Sequence, residues 1–350
     1  MKTITILLFM ALFCSCNKNK TIDVESLFPQ TRNLHYKQKK YSNLIMGRIS
    51  DIHLVNNKLF MMEENGDSCF HIIDMVEDRY VGGFGKKGQG PDEFLQPYHF
   101  QYYSDSILAV FDLWKGSLIG LKANSVSLGY LQNYNIMRLD SVMCHSFVAT
   151  KYNTYIAMGG YKDCLFRMLD PKGHRINDFF EYPYKDEYEK SLSNRLRAMA
   201  YQGKVLTNPS MDKLVFAVSY SPIISFYQIT PRSLKLLASI ISAYPEYKPE
   251  ETSNSMSAAM SRNNKMGYID VYTTEQYVYA LYSGKTIKDA TSGAFESNQV
   301  LVFDWSGNPV TKYALDIFVT EICISPDDAV LYAISNKPDP ELIFFNLKSN

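Results

Sequence analysis

The chain has 350 residues, and its 36 lysines and arginines are balanced by 36 aspartates and glutamates for a formal charge of zero. That balance, with the two signs interspersed, excludes a basic nucleic-acid-binding surface and an electrostatically held membrane surface. The length allows one large domain or two of about 150 residues, and repeat structure decides between them.

Met1-Lys2 supplies a positive charge and residues 4–13 an apolar run, the pattern of an export leader. The run is shorter than the roughly twenty apolar residues a bilayer span needs, and it stops at Cys14-Ser15-Cys16 before the polar Asn17-Lys18-Asn19-Lys20. The end of the leader resembles a bacterial lipoprotein box, which implies that Cys16 is acylated and becomes the mature N-terminus. Ordinary secretion with cleavage nearby is the competing reading.

Six times the chain then gives an apolar strand, a polar turn and a second apolar strand. The first members fall at 58–62, 106–111, 154–158, 213–218, 276–281 and 330–334, their partners at 69–74, 117–121, 164–170, 223–228, 299–304 and 341–346. β-Branched and aromatic residues fill these runs, and Gly, Pro, Asn and Asp bound them, as strands require. Another short strand precedes each pair and a fourth follows most of them. Asp170-Pro171-Lys172-Gly173 and Asp304-Trp305-Ser306-Gly307 predict hairpin turns in which the aspartate accepts a backbone N–H and the glycine takes a positive φ. Four strands recurring every roughly 45 to 60 residues is the period of a propeller blade. The predicted fold is therefore all-β, a six-bladed β-propeller of four-stranded blades. The last blade has only three strands before Asn350, so residues 34–41 are expected to return as its outer strand and close the ring. The chain divides into a leader at 1–16, a tether and closing strand at 17–45, and the propeller at 46–350.

Between the first two blades lies a glycine-rich stretch, Gly82 to Pro97. Within it Gly83-Phe84-Gly85-Lys86-Lys87-Gly88 matches G-x-G-x-x-G, but Gly90-Pro91 follows at once and leaves no helix to present N–H groups to a phosphate. An inter-blade loop is the prediction. With the leader and the repeat, Gly88-Gln89-Gly90-Pro91-Asp92-Glu93-Phe94 followed by Pro97 resembles the TolB-like six-bladed propeller lipoproteins of Bacteroides-type bacteria, a family without an assigned biochemical activity. Relatives of this kind are expected to carry Gly-Pro-Gly-Glu-Phe where this chain has Gly90-Pro91-Asp92-Glu93-Phe94. The resemblance implies an envelope protein anchored by lipid. Surface-exported members usually carry acidic residues after the lipidated cysteine, so Lys18 and Lys20 imply an anchor that faces the periplasm.

Strand order puts the four-to-one and two-to-three connections on one face. The long insertions, read as the loop from Gly85 to Pro97 and residues 132–143, 181–202, 242–265 and 284–297, are all expected there, making that face the recognition surface. Within 187–201, Leu192, Leu196 and Met199 recur at helical spacing and predict a short helix packed on the rim. The stretch from Tyr244 to Ser257 is expected to be a flexible loop. Aligned inner strands place Asp51, His99, Asp270 and Glu321 at the mouth of the channel on the same face. These are the candidate ligand-binding residues; three carboxylates and an imidazole could hold a divalent cation, calcium preferring such oxygens, but a wet channel needs polar residues with no further role, and no metal or cofactor is expected. Propeller lactonases hold a metal at that place, which makes a metal-dependent hydrolase the alternative to a non-catalytic binder of a peptide, glycan or envelope protein.

No H-E-x-x-H, C-x-x-C pair, G-x-S-x-G or EF-hand loop occurs. His35, His71 and His174 are scattered and read as surface or satisfied groups. Cys69, Cys144, Cys164 and Cys323 are expected as buried free thiols, because the strand map sets Cys144 and Cys164 about 9.6 Å apart, beyond a disulfide's reach.

Overall fold

The computed structural model describes residues 22–139, 144–252, 255–336 and 338–348. The leader and Cys16 lie outside the described residues. Six antiparallel sheets are each laid out as a meander from an inner strand beside the axis to an outer strand. The inner strands are Ile49–Val55, Pro97–Ser104, Cys144–Ala149, Gly203–Thr207, Tyr268–Thr273 and Glu321–Ile324. The two middle strands of a blade are covered on both faces, so Lys58–Glu63 and Ser68–Asp74 of blade 1 are almost wholly buried while its outer strand Arg79–Lys86 is half exposed. Apolar side chains fill the spaces between neighbouring blades. Phe60, Phe70, Phe94, Phe100 and Leu108 pack between blades 1 and 2, and Phe166, Phe216 and Tyr227 between blades 3 and 4.

The turns form as their residues dictate. Asp170 Oδ1 accepts the N–H groups of Lys172 and His174 at 2.8 Å each, and Asp304 Oδ1 those of Ser306 at 2.8 Å and Asn308 at 2.9 Å. Gly173 and Gly307 close these turns at φ 82° and 80°. The glycine-rich stretch is an outer strand followed by an inter-blade loop. Gly85 sits at φ 74° with room for no Cβ, which would lie 2.8 Å from the Phe70 ring. Phe94 is buried edge-on against Phe70 with ring centroids 4.9 Å apart. Asp112 accepts the N–H groups of Leu95 at 2.7 Å and Gln96 at 3.2 Å, and Lys115 Nζ donates to the Gly90 and Glu93 carbonyls at 2.8 and 2.5 Å. The motif is thus a clasp between blades 1 and 2. Asp92, the departure from the family pattern, is exposed.

Four expectations need correction. The insertion expected at 132–143 is an outer strand over its first part: Gln132–Arg138 is the outer strand of blade 2, residues 140–143 lie outside the described residues, and extra residues of that blade form the preceding 3₁₀ turn Ala123–Leu128. That connection is three-to-four and lies on the opposite face, so the decorations are not confined to one side. The flexible loop around 242–265 contains a β-hairpin, Tyr247–Glu251 with Met256–Met260. The rim helix is two, Glu187–Ser191 and Asn194–Ala200, because Ser193 caps a second start.

The fourth correction concerns the N-terminal segment, which serves two blades. Lys37–Gln38 pairs antiparallel with Glu341–Asn346 as the outer strand of blade 6, but Thr31–Leu34 adds in parallel to Pro309–Val319 of blade 5. Upstream, the Ile22 N–H donates to the Ile241 carbonyl at 3.0 Å and Val24 and Phe28 are buried beside blades 4 and 5. The straddling segment locks three blades through apolar contact more than through the two-residue strand. Leu34→Ala is accordingly expected to cost roughly 2–4 kcal/mol in denaturant unfolding. Lys37→Ala, which is exposed, is expected to change stability by less than about 0.5 kcal/mol.

Candidate functional site

Each inner strand carries one polar residue directly before a buried apolar one: Asp51, His99, Ser146, Lys204, Asp270 and Glu321. The ring closure brings the four predicted residues together. One oxygen each from Asp51, Asp270 and Glu321 lie within 4.8 Å of one another, and His99 Nδ1 lies 3.6 Å from Asp51 Oδ2. His99 reaches the ring from a bulge, at φ 53°, and its Nδ1 is buried with no hydrogen-bond partner.

The residue that sequence reading missed is Lys204. Its ammonium lies 2.7 Å from Asp270 Oδ1 and 3.2 Å from Asp51 Oδ1. Blades 1 and 4 stand opposite each other in a six-membered ring, so the Lys204–Asp51 pair crosses the channel. The same carboxylates hold the backbone. Asp51 Oδ2 accepts the Phe100 N–H at 2.7 Å, and Asp270 accepts those of Ile322 at 2.8 Å and Val271 at 2.7 Å. Lys204 stands before Val205 as Asp51 stands before Ile52, which is the signal that marks it as a ring member.

Charge in this cluster is unequal. Burial pushes Lys204 down, but Asp270, Asp51 and Glu321 outweigh it and hold the lysine above its ordinary value. Burial also pushes Asp51 up, and Lys204, His99 and the Phe100 N–H outweigh that and keep it below the usual carboxylate range. Glu321 accepts no hydrogen bond among the described residues. Burial, with the charges of Asp270 and Asp51, raises it well above an ordinary glutamate. His99 is held neutral, chiefly by burial.

Above the cluster the channel opens into a cavity of about 620 Å³. Its wall comes from blades 1, 2, 5 and 6 and includes Arg48, Lys87, His99, Glu321 and three exposed apolar residues, Leu95, Tyr98 and Phe295. The three histidines read as scattered have local partners: His71 bonds Glu63 and Tyr80, while His35 and His174 pair with Asp316 and Asp170 at the surface. The four cysteines are free and buried, and burial lifts the Cys69 thiol to about 11 and those of Cys144, Cys164 and Cys323 to about 12.

Meander blades in a six-membered ring, with an axial channel plugged by a lysine and its carboxylates, define a six-bladed β-propeller. The family model described as TolB-like 6-blade propeller-like matches residues 30–327, and the chain belongs to that family. Solved structures that superpose include a candidate exported protein from Bacteroides fragilis, with TM-score 0.52 at 12% identity over 93% of this chain and 96% of its own. A DUF4221 family member from Bacteroides vulgatus gives 0.50 at 12% over 91% and 98%. Regucalcin, a calcium-binding protein from Agrobacterium tumefaciens, gives 0.50 at 9% over 91% and 96%. These likenesses are of fold. No curated protein matches the sequence. Among the described residues no helix is long and apolar enough to cross a membrane.

The sign of the Glu321 effect is testable. A carboxyl whose folded pKa lies above its unfolded value binds more protons when folded, so stability falls as pH rises above the unfolded value near 4.3. Glu321→Gln is expected to unfold like the parent at pH 4 and to be more stable than it at pH 8, as read by urea denaturation.

Proposed function

We propose that this protein is an exported, lipid-anchored binding protein of the bacterial envelope that holds a peptide, a glycan or a partner protein at the upper mouth of the channel without catalysis. The observation that carries the reading is the exposed apolar group Leu95, Tyr98 and Phe295 around a cavity whose floor presents two hydrogen-bonding groups, His99, its pKa lowered chiefly by burial, and the carboxyl of Glu321, its pKa raised chiefly by burial. Aromatic faces rimming a polar floor suit a sugar ring or a peptide side chain. Among the described residues burial raises all four thiol pKa values, which speaks against a cysteine nucleophile there. The likeness of the leader's end at Cys16 to a lipoprotein box, with Lys18 and Lys20 following, supports an anchor facing the periplasm.

Arrays of envelope glycans and peptides are the direct test. Tyr98→Ala and Phe295→Ala, both at exposed positions, are expected to weaken any retained ligand by about tenfold or more. Turnover of a lactone or ester by the parent, lost in Glu321→Gln, would replace the reading with a hydrolase.

The trio Asp51, Asp270 and Glu321 favours a second reading, a metal-dependent hydrolase of the lactonase kind. Its donors do not fit a resident divalent ion, because the Lys204 ammonium already bonds two of the three carboxylates. Calorimetry with calcium and zinc is expected to show no binding to the parent at millimolar metal. Lys204→Met, if it folds, is expected to gain affinity for one of them. Saturable binding to the parent would restore the hydrolase.

A further inference from the structure

Below the Lys204 plug the channel opens again, at the end formed by the first-to-second strand turns, into a cavity of about 410 Å³. His53 and Tyr272 reach into it from blades 1 and 5, with ring centroids 5.0 Å apart. His53 is 8% exposed, yet its imidazole makes no hydrogen bond among the described residues. A neutral imidazole at this place offers a ligand one ring N–H donor and one ring-nitrogen acceptor. Its ring nitrogens are not sealed off from the cavity, so a polar ligand group can take the place of water on them.

The rim carries the opposite character. Asp105 of blade 2 and Glu275 of blade 5 line the mouth from opposite sides of the ring. Asp105 accepts the Tyr102 hydroxyl at 2.6 Å, and Glu275 accepts the Ser210 hydroxyl at 2.6 Å and the Asn208 amide at 3.1 Å. These donors are neutral, and neither carboxylate forms an ion pair among the described residues. Tyr102 is pushed up by burial, by Asp105 and by Glu275, so both carboxylates act on one phenol. No lysine or arginine lines this cavity, in contrast to the upper one, where Arg48 and Lys87 do.

We propose that the lower mouth is a second binding site, for a ligand bearing a primary ammonium or guanidinium group such as a basic peptide side chain. The cation sits between Asp105 and Glu275 against the face of Tyr102, and a neighbouring polar group of the ligand reaches His53. This site is separate from the upper mouth and stands or falls without it.

The probes are agmatine and lysine amide, with glucose and the uncharged Nα,Nε-diacetyl-lysine amide for comparison, followed by calorimetry and by NMR of the histidine ring resonances. Both amines are expected to bind saturably at millimolar concentration or below and to shift the His53 signals, whereas the neutral probes do neither. The pair of changes Asp105→Asn and Glu275→Gln, both at the rim, is expected to weaken the amines by about tenfold or more, and Tyr98→Ala at the upper mouth to leave them unaffected. Absence of amine binding, equal binding of the neutral probes, or affinity unchanged in the double variant overturns the proposal.

Discussion

A ring of blades ends at its axis in six edge strands, and an edge strand exposes backbone N–H and C=O groups that need partners. In this protein the polar residues of the channel supply them. Asp51 takes the Phe100 N–H of the next blade and Asp270 that of Ile322, while Gln101 bonds Phe147 and Ala149 across the blade 2 to blade 3 step. Thr273 donates to the Thr207 carbonyl at 2.8 Å between blades 5 and 4. Two of these carboxylates then need a counter-charge, and Lys204 provides it from across the channel. Removing one member of such a buried set leaves an uncompensated charge, the costly case, at roughly 3–5 kcal/mol. The axial cluster is therefore a structural keystone first.

The keystone also divides the channel. One ammonium faces three carboxylates, and the surplus falls on Glu321, which opens upward beside His99. The upper chamber has mixed charges and an apolar rim. The lower chamber, below the plug, has an acidic rim and a neutral imidazole at depth. Passage through the axis would require breaking the Lys204 pairs, so the two chambers are separate.

Much of this was legible in the residues. Hairpin pairs bounded by turn formers gave the blades, and Asp170 with Gly173 or Asp304 with Gly307 specify their turns by local chemistry alone. Asp51, His99, Asp270 and Glu321 were found because polar residues recur before the apolar start of an inner strand. Lys204 obeys the same rule but was passed over, since a search for metal ligands looks for acids and imidazoles. His53 has no repeat to mark it; only the third dimension shows that its ring lacks a partner. Gln132–Arg138 was misplaced because its alternation is weak, as befits an outer strand with one solvated face. The split of the N-terminal segment over two blades rests on parallel pairing with Pro309–Val319, a long-range register that no local pattern encodes.

The entry point of the chain has a bearing on how the molecule stands. Ile22 is tied to Ile241, at the end of the outermost strand of blade 4 where the chain turns toward blade 5. Ile22 lies six residues along the sequence from Cys16, and a chain of that length spans about 20 Å at most. An acyl anchor of the kind proposed above would therefore hold the blade 4 corner of the disc within about 20 Å of the lipid headgroups, while the opposite blades could stand further off.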